Sequence, residues 1–220
     1  MQLVHPRSPE PRRTASTRRP QGPKAVPDWT LVRHRSHAVQ FYEDDEFLVE
    51  LLSRFVGASL ATGDSAIVIA TVRHREALAE RLLSRGFDLS IPLKQGRYVP
   101  LDAAESLASF MRDGVPDPTR FTELVCPIIE DARTAARGGR GQIAAFGEMV
   151  ALLWADGNID AALQLEEMWN RLADIYAFSL CCAYPMSGFL GDAHAAPFLK
   201  ICAQHTHVFA SEQGRSASSL

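Results

Sequence analysis

The stretch SAIVIAT, residues 65–71, is nearly continuously apolar yet only seven residues long. A strand of this kind suits burial on both faces, the condition met in parallel sheets that carry helices on either side. From His37 onward the chain repeats that theme, with short apolar strands alternating with longer amphipathic runs, the pattern of a parallel α/β sheet. AVQFY (38–42) reads as the preceding strand. EDDEFLVELLSRFVGASLATG follows, with acids in its first turn, Phe47, Leu48, Leu51, Leu52, Phe55 and Val56 at helical spacing, and Gly63 at its exit. It has the form of a helix that complements its own dipole. HREALAERLLSRG (74–86) is a second helix, stopped at a glycine.

The pattern continues after a loop holding Pro92 and Gly96. RYVPLD (97–102) reads as a third strand and AAESLASFMRDG as a third helix. Residues 117–139 read as a fourth helix, in which Pro127 marks a kink or a late start. GQIAAFG (141–147) is a fourth strand, followed by a helical pair broken at Gly157, with Asn158 or Asp160 to cap the second member. AFSLCCAYP (177–185) is the fifth strand, and HAAPFLKICAQHTHVF supplies a closing helix. The expected fold is three-layer α/β, with a mostly parallel central sheet of about five or more strands flanked by helices.

Size and composition narrow the class. A chain of 220 residues suits one domain with a tail. No apolar stretch approaches the ~18 residues that a membrane span needs, so no membrane partner is expected. The basic N-terminus has no apolar run after its arginines and does not read as a secretory signal, which points to a cytoplasmic protein. Cys126, Cys181, Cys182 and Cys202 include no CxxC pair, and two of them are neighbours in an apolar run. They read as buried reduced thiols.

Charge is unevenly spread. Residues 1–36 carry eight Lys/Arg against Glu10 and Asp28, while the rest of the chain is net acidic. The first thirty residues also hold six of the thirteen prolines and almost no apolar periodicity, so residues 1–36 are expected to form a disordered basic arm. The arm is the one place where nucleic acid contact is chemically open, and with no interleaved aromatics a solvated tail is the plainer reading.

A parallel sheet usually collects ligands at the carboxyl ends of its strands. The first strand is followed there by EDDE (43–46), four carboxylates where a triphosphate would be repelled. No glycine-rich loop with a following Lys and Ser or Thr is present, and GGRGQ (138–142) precedes a strand instead of following one. Nucleotide hydrolysis and nicotinamide chemistry are therefore disfavoured, and no cofactor is expected.

HAVQFYEDDEFLVELLSRFV, GDSAIVIATVRHREAL, GRYVPLDAAESLASFM, FGEMVALLWADGNIDAALQLEEMWNRLA, LCCAYP and ICAQHTHVF, in that order, resemble the MEDS domain, the methanogen/methylotroph DcmR-type sensory domain. The resemblance covers about residues 37–208, leaving 209–220 as a flexible tail, and FGEMVALLW followed by LEEMWN is its most specific part. It implies a degenerate RecA/KaiC-like core without the phosphate loop, and a sensor of small hydrocarbon-like compounds, often joined to histidine kinases or transcription regulators. Relatives commonly carry an arginine where this chain has Ala144, so an anion contact at that point is not carried over.

Candidate ligand-binding residues then follow from position. Glu148 comes directly after the fourth strand, where it either meets a ligand or satisfies the free N–H groups of the helix beginning at Met149. Tyr42, Asp102 and Tyr184 also lie at strand ends, and a tyrosine offers an apolar body with one polar tip. His37 starts the first strand, at the opposite end from that rim, where a structural role is the simpler one. Trp154 and Trp169 read as core, and Glu166 and Glu167 as a solvated pair with Arg171 in reach. Cys202 with the histidines of HTH (205–207) lacks a third and fourth ligand at motif spacing, so no metal is expected.

These readings converge on a non-enzymatic signalling sensor that binds a small apolar molecule and acts on a separate partner, a histidine kinase or a regulator, or on a second copy of itself. The competing reading is a ligand-free interaction scaffold. An enzyme with Glu148 as general base is disfavoured for want of a partner acid, a metal set or a cofactor loop.

Overall fold

The computed structural model describes residues 36–137, 141–189 and 194–209. The basic arm up to residue 35, the glycines of GGRGQ at 138 and 139 and the tail from residue 210 lie outside them. The strands in chain order are β1 (His37–Tyr42), β2 (Ser65–Ala70), β3 (Tyr98–Asp102), β4 (Met111–Arg112), β5 (Val115–Pro116), β6 (Ile143–Gly147), β7 (Ser179–Pro185) and β8 (His207–Phe209). The helices are α1 (Asp45–Ala61), α2 (Val72–Ser84), α3 (Ser90–Lys94), α4 (Ala103–Phe110), α5 (Pro118–Ala135), α6 (Met149–Ala155), α7 (Ile159–Ile175) and α8 (Ala195–Ala203).

Six strands make one parallel sheet in the order β3-β2-β6-β7-β1-β8. Every residue of β1, β2 and β6 is buried, as continuous apolar strands demand. Side chains alternate across the pleat. Ala38, Ala66, Val68, Ala144, Phe146 and Cys181 face α1 and α2, while Val39, Phe41, Ile67, Ile69, Leu180 and Cys182 face the thicker layer of α4 to α8. The result is the three-layer α/β fold expected from the alternation.

Helix starts follow the capping rules. Asp44 accepts from Glu46 N at 2.9 Å, Asp117 accepts from Thr119 N and Arg120 N ahead of Pro118, and Asn158 caps α7 through Ala161 N at 3.3 Å. Helix α5 runs through Pro127 without ending.

Two boundaries differ from the periodicity reading, and Ser90–Lys94, within the stretch read as a loop, folds as the short helix α3. The third helix stops at Phe110, because Met111–Pro116 folds as a hairpin. Its turn places Asp113 at φ 50° and Gly114 at φ 80°, the two positive values for which Asp-Gly is the favoured pair. The closing helix likewise stops at Ala203, and His207–Phe209 joins the sheet beside β1 as its edge strand. Thr206 enforces this: its N–H and its hydroxyl both donate to the His37 carbonyl, at 2.7 and 2.9 Å, and its Oγ1 accepts from His37 N at 3.0 Å. A helical period had concealed a β-branched strand that pairs across the whole chain.

One close approach in this layer yields a prediction. Trp154 Nε1 donates to the Gly188 carbonyl at 2.7 Å, and a Cβ built at Gly188 would sit 2.9 Å from both Cδ1 and Nε1 of that indole. Gly188→Ala should displace Trp154 and cost about 1–3 kcal/mol by overpacking. A weakened near-ultraviolet circular dichroism signal together with a lower urea midpoint checks it; an unchanged spectrum would mean that the turn moves aside freely.

Candidate functional site

The carboxyl edge of the sheet brings Glu148 and Tyr42 into one neighbourhood on the α1/α2 side. Glu148 is buried and does not cap its own helix; instead Thr71 N donates to Oε2 at 2.8 Å, and His74 Nδ1 stands 2.7 Å from Oε1. The carboxylate thus fastens the end of β6 to the start of α2. His74 Nε2 faces Asp45 Oδ1 at 3.5 Å without forming a hydrogen bond, and Arg73 Nη1 pairs with Asp45 Oδ2 at 2.9 Å. The ring of Tyr42 meets His74 edge-on at 6.2 Å. Burial first, then the charges of Glu148 and Asp45, push the Tyr42 phenol well above its ordinary value.

Between α1 and α2 at this edge runs a groove of about 410 Å³. Asp45, Glu46, Arg73 and His74 line it at the N-terminal ends of the helices, Glu80, Arg81 and Ser84 farther along, and Val49 and Ala77 give it a strip of apolar wall. Its electrostatics centre on His74. Burial opposes the charged ring, but Glu148 and Asp45 outweigh burial and raise the His74 pKa above the ordinary histidine value.

That raised value carries a pH dependence. Four groups face His74: Glu148 from the end of β6, Asp45 and its partner Arg73 from the helix starts, and Tyr42 from β1. The contribution of the pair to stability is full below the unfolded histidine value of about 6.5 and fades as pH rises through the higher folded value. His74→Gln should therefore cost about 1–3 kcal/mol near pH 6 and visibly less near pH 9. Urea melts of both proteins across that range test it, and a gap that widens with pH would contradict the assignment.

Asp102 stands apart from this group at the end of β3. It caps α4 through Ala104 N and Glu105 N at 2.9 and 3.0 Å, and Arg75 Nη2 donates to it at 2.8 Å. The Glu105 N–H, with help from Arg75, keeps its carboxyl below the usual carboxylate range.

His37 and Tyr184 are brought together on the opposite face of the sheet, around a residue that the sequence reading placed in solvent. Glu166 of α7 is completely buried. Tyr184 OH donates to its Oε1 at 2.7 Å. Its Oε2 lies 3.2 Å from His37 Nε2, 3.4 Å from Cys182 Sγ and 3.5 Å from His205 Nε2. Only Glu167, one residue on, makes the expected exposed pair with Arg171, at 4.0 Å. Burial alone would raise the Glu166 carboxyl, but His205 and His37 hold it well below the usual range. Burial and the nearby Glu166 push the Cys181 and Cys182 thiols and the Tyr184 phenol upward.

The signal for Glu166 was present in the helix. Ala162, Leu165, Trp169 and Leu172 are all buried, and Glu166 sits among them at i+4, i+1, i−3 and i−6, so it shares their face. His205 and Cys182 had no comparable signal, because β7 and the end of α8 reach α7 only by tertiary packing between segments distant in the chain.

Fold and site together define a parallel-sheet α/β domain with a polar groove at its carboxyl edge and a second polar constellation buried behind the sheet. The family model described as MEthanogen/methylotroph, DcmR Sensory domain (MEDS) matches residues 36–198, most of the chain. The chain belongs to the MEDS family of sensory domains. A comparison with curated proteins finds no match.

Proposed function

We propose that this domain senses a small, largely apolar, hydrocarbon-like molecule and relays its presence to a separate signalling protein, a histidine kinase or a transcription regulator. The groove between α1 and α2 carries the reading, since it combines apolar wall at Val49 and Ala77 with hydrogen-bonding groups at His74 and Arg73. A small ligand whose apolar body lies on Val49 and Ala77 and whose polar end meets the charged rim would suit it. Membership of a sensory family supports the signalling half. The reading is non-enzymatic: both Glu148 oxygens are engaged, by Thr71 N and by His74, which leaves a poor general base. Output follows if the ligand binds one packing of α1 against α2 more tightly than another and so shifts their populations. It passes by protein contact, to the partner or to a second copy, without nucleic acid or membrane.

Native mass spectrometry of protein purified without denaturation, paired with thermal shifts against short alcohols, ketones and halomethanes, tests the proposal. A ligand at a hundredfold its Kd should stabilise by about 2.7 kcal/mol, or roughly 5–10 °C. The gain should vanish when Val49→Asp closes the apolar wall. An empty protein whose melting no compound moves would favour the scaffold reading.

A further inference from the structure

We infer that His37, Glu166, Cys182 and His205 form a closed tetrahedral site for a divalent first-row metal, zinc in the first place. These four ligand atoms all lie within 4.8 Å of one another. His37 Nε2 is 3.3 Å from Cys182 Sγ, and Glu166 Oε2 is 3.2, 3.4 and 3.5 Å from His37 Nε2, Cys182 Sγ and His205 Nε2. Ligands at about 2.0–2.1 Å for nitrogen or oxygen and about 2.3 Å for sulfur stand roughly 3.3–3.6 Å apart around a tetrahedral zinc. The four spacings given match such a set, and the two remaining, from His205 Nε2 to His37 Nε2 and to Cys182 Sγ, lie within 4.8 Å.

The orientation of the rings points the same way. His205 Nδ1 lies 2.6 Å from the Ile201 carbonyl, which can only accept, so Nδ1 carries the hydrogen. Asn170 gives its amide hydrogens to the Gln204 carbonyl and Gln204 Oε1, at 3.0 and 2.9 Å, which turns its Oδ1 toward His37 Nδ1 at 2.8 Å. That ring also donates from Nδ1. The Nε2 atom of each ring is thereby left facing the Glu166 carboxylate, and His205 Nε2, fully buried, has no hydrogen-bond partner. A cation at their centre would take both Nε2 atoms as ligands, and an acceptor on each Nδ1 is how metal-bound histidines are usually oriented.

Charge balances as well. Two imidazoles bound in their neutral form, one carboxylate and one thiolate around a divalent ion leave a site with no net charge, and the Cys182 thiol proton, with any proton on a ligating Nε2, passes to solvent on binding. The ion would join β1, β7, α7 and the segment after α8, fixing the edge strand β8 in place. The metal set escaped spacing rules because its members are 16 to 129 residues from the nearest partner in the chain, assembled only by the sheet.

Metal analysis of the purified chain should find one equivalent of zinc that survives dialysis. After exchange for Co²⁺, the protein should show intense tetrahedral visible bands and a thiolate-to-cobalt charge-transfer band in the near ultraviolet. Cys182→Ser should abolish the charge-transfer band. Asn170→Ala, which removes no ligand but loses the support of His37 and the tie to Gln204, should keep it while weakening Co²⁺ binding about 10–100-fold. Pale octahedral cobalt bands in the wild type, or charge transfer that persists in Cys182→Ser, would overturn the assignment. The wild-type spectrum decides the matter alone if the serine variant does not fold.

Discussion

Replacing Glu166 with alanine should lower the stability of the domain by about 3–5 kcal/mol, the usual cost of removing one member of a buried ionic set. The deletion leaves the Tyr184 hydroxyl, buried in the core, without its acceptor at 2.7 Å, and it leaves His37 and His205 facing each other with ring centroids 4.1 Å apart and no carboxylate between them. Solvent cannot take over, because the carboxylate it replaces is completely buried. For a domain of this size the loss corresponds to a melting point roughly 6–20 °C lower. Urea unfolding followed by far-ultraviolet circular dichroism measures it. A change below about 1 kcal/mol would mean that the cluster repacks without its centre.

Trp169→Ala should be comparably severe, at about 3–5 kcal/mol. Trp169 lies three residues after Glu166 on the same buried face of α7. Its indole meets Phe121 edge-on at 5.1 Å and Phe178 at 6.2 Å, so it ties α7 to α5 and to the approach of β7. Truncation leaves a cavity that three separate elements would have to move to fill. Because the two residues are close, the double variant should lose less than the sum of the two singles. An additive pair would show that Glu166 and Trp169 stabilise the helix independently.

The layering of the fold was legible in the sequence because it depends on local pattern. SAIVIA and IAAFG announced strands buried on both faces, and the acids before Phe47 announced the start of α1. The two misplaced boundaries were lost for a shared reason. Met111 and His207 each continue a helical period by chance, while the true determinants are an Asp-Gly turn in one case and a hydrogen-bond clasp between Thr206 and His37 in the other. Pattern reports what a segment prefers alone; pairing across 169 residues is decided elsewhere.

The candidate residues show the same division. Strand-end position correctly brought Glu148 and Tyr42 to one edge, but it could not show that Glu148 reaches across to His74 and Thr71 N. His37 and Tyr184 were named singly and from different arguments. Only the parallel register of β1 with β7, which sets Val39 opposite Cys182 and Phe41 opposite Tyr184, makes them parts of one constellation around Glu166. Helical phase alone was enough to place Glu166 inside, and its charge concealed that.

The sensing proposal is tested most directly by amide hydrogen exchange, comparing the protein alone with the protein saturated by whichever small compound raises its melting temperature. Protection should rise in α1 and α2, across Asp45–Ala61 and Val72–Ser84, with the largest change at the starts of the two helices beside His74 and Asp45. Unchanged exchange in both helices, with protection gained elsewhere, would contradict the groove as the sensing site.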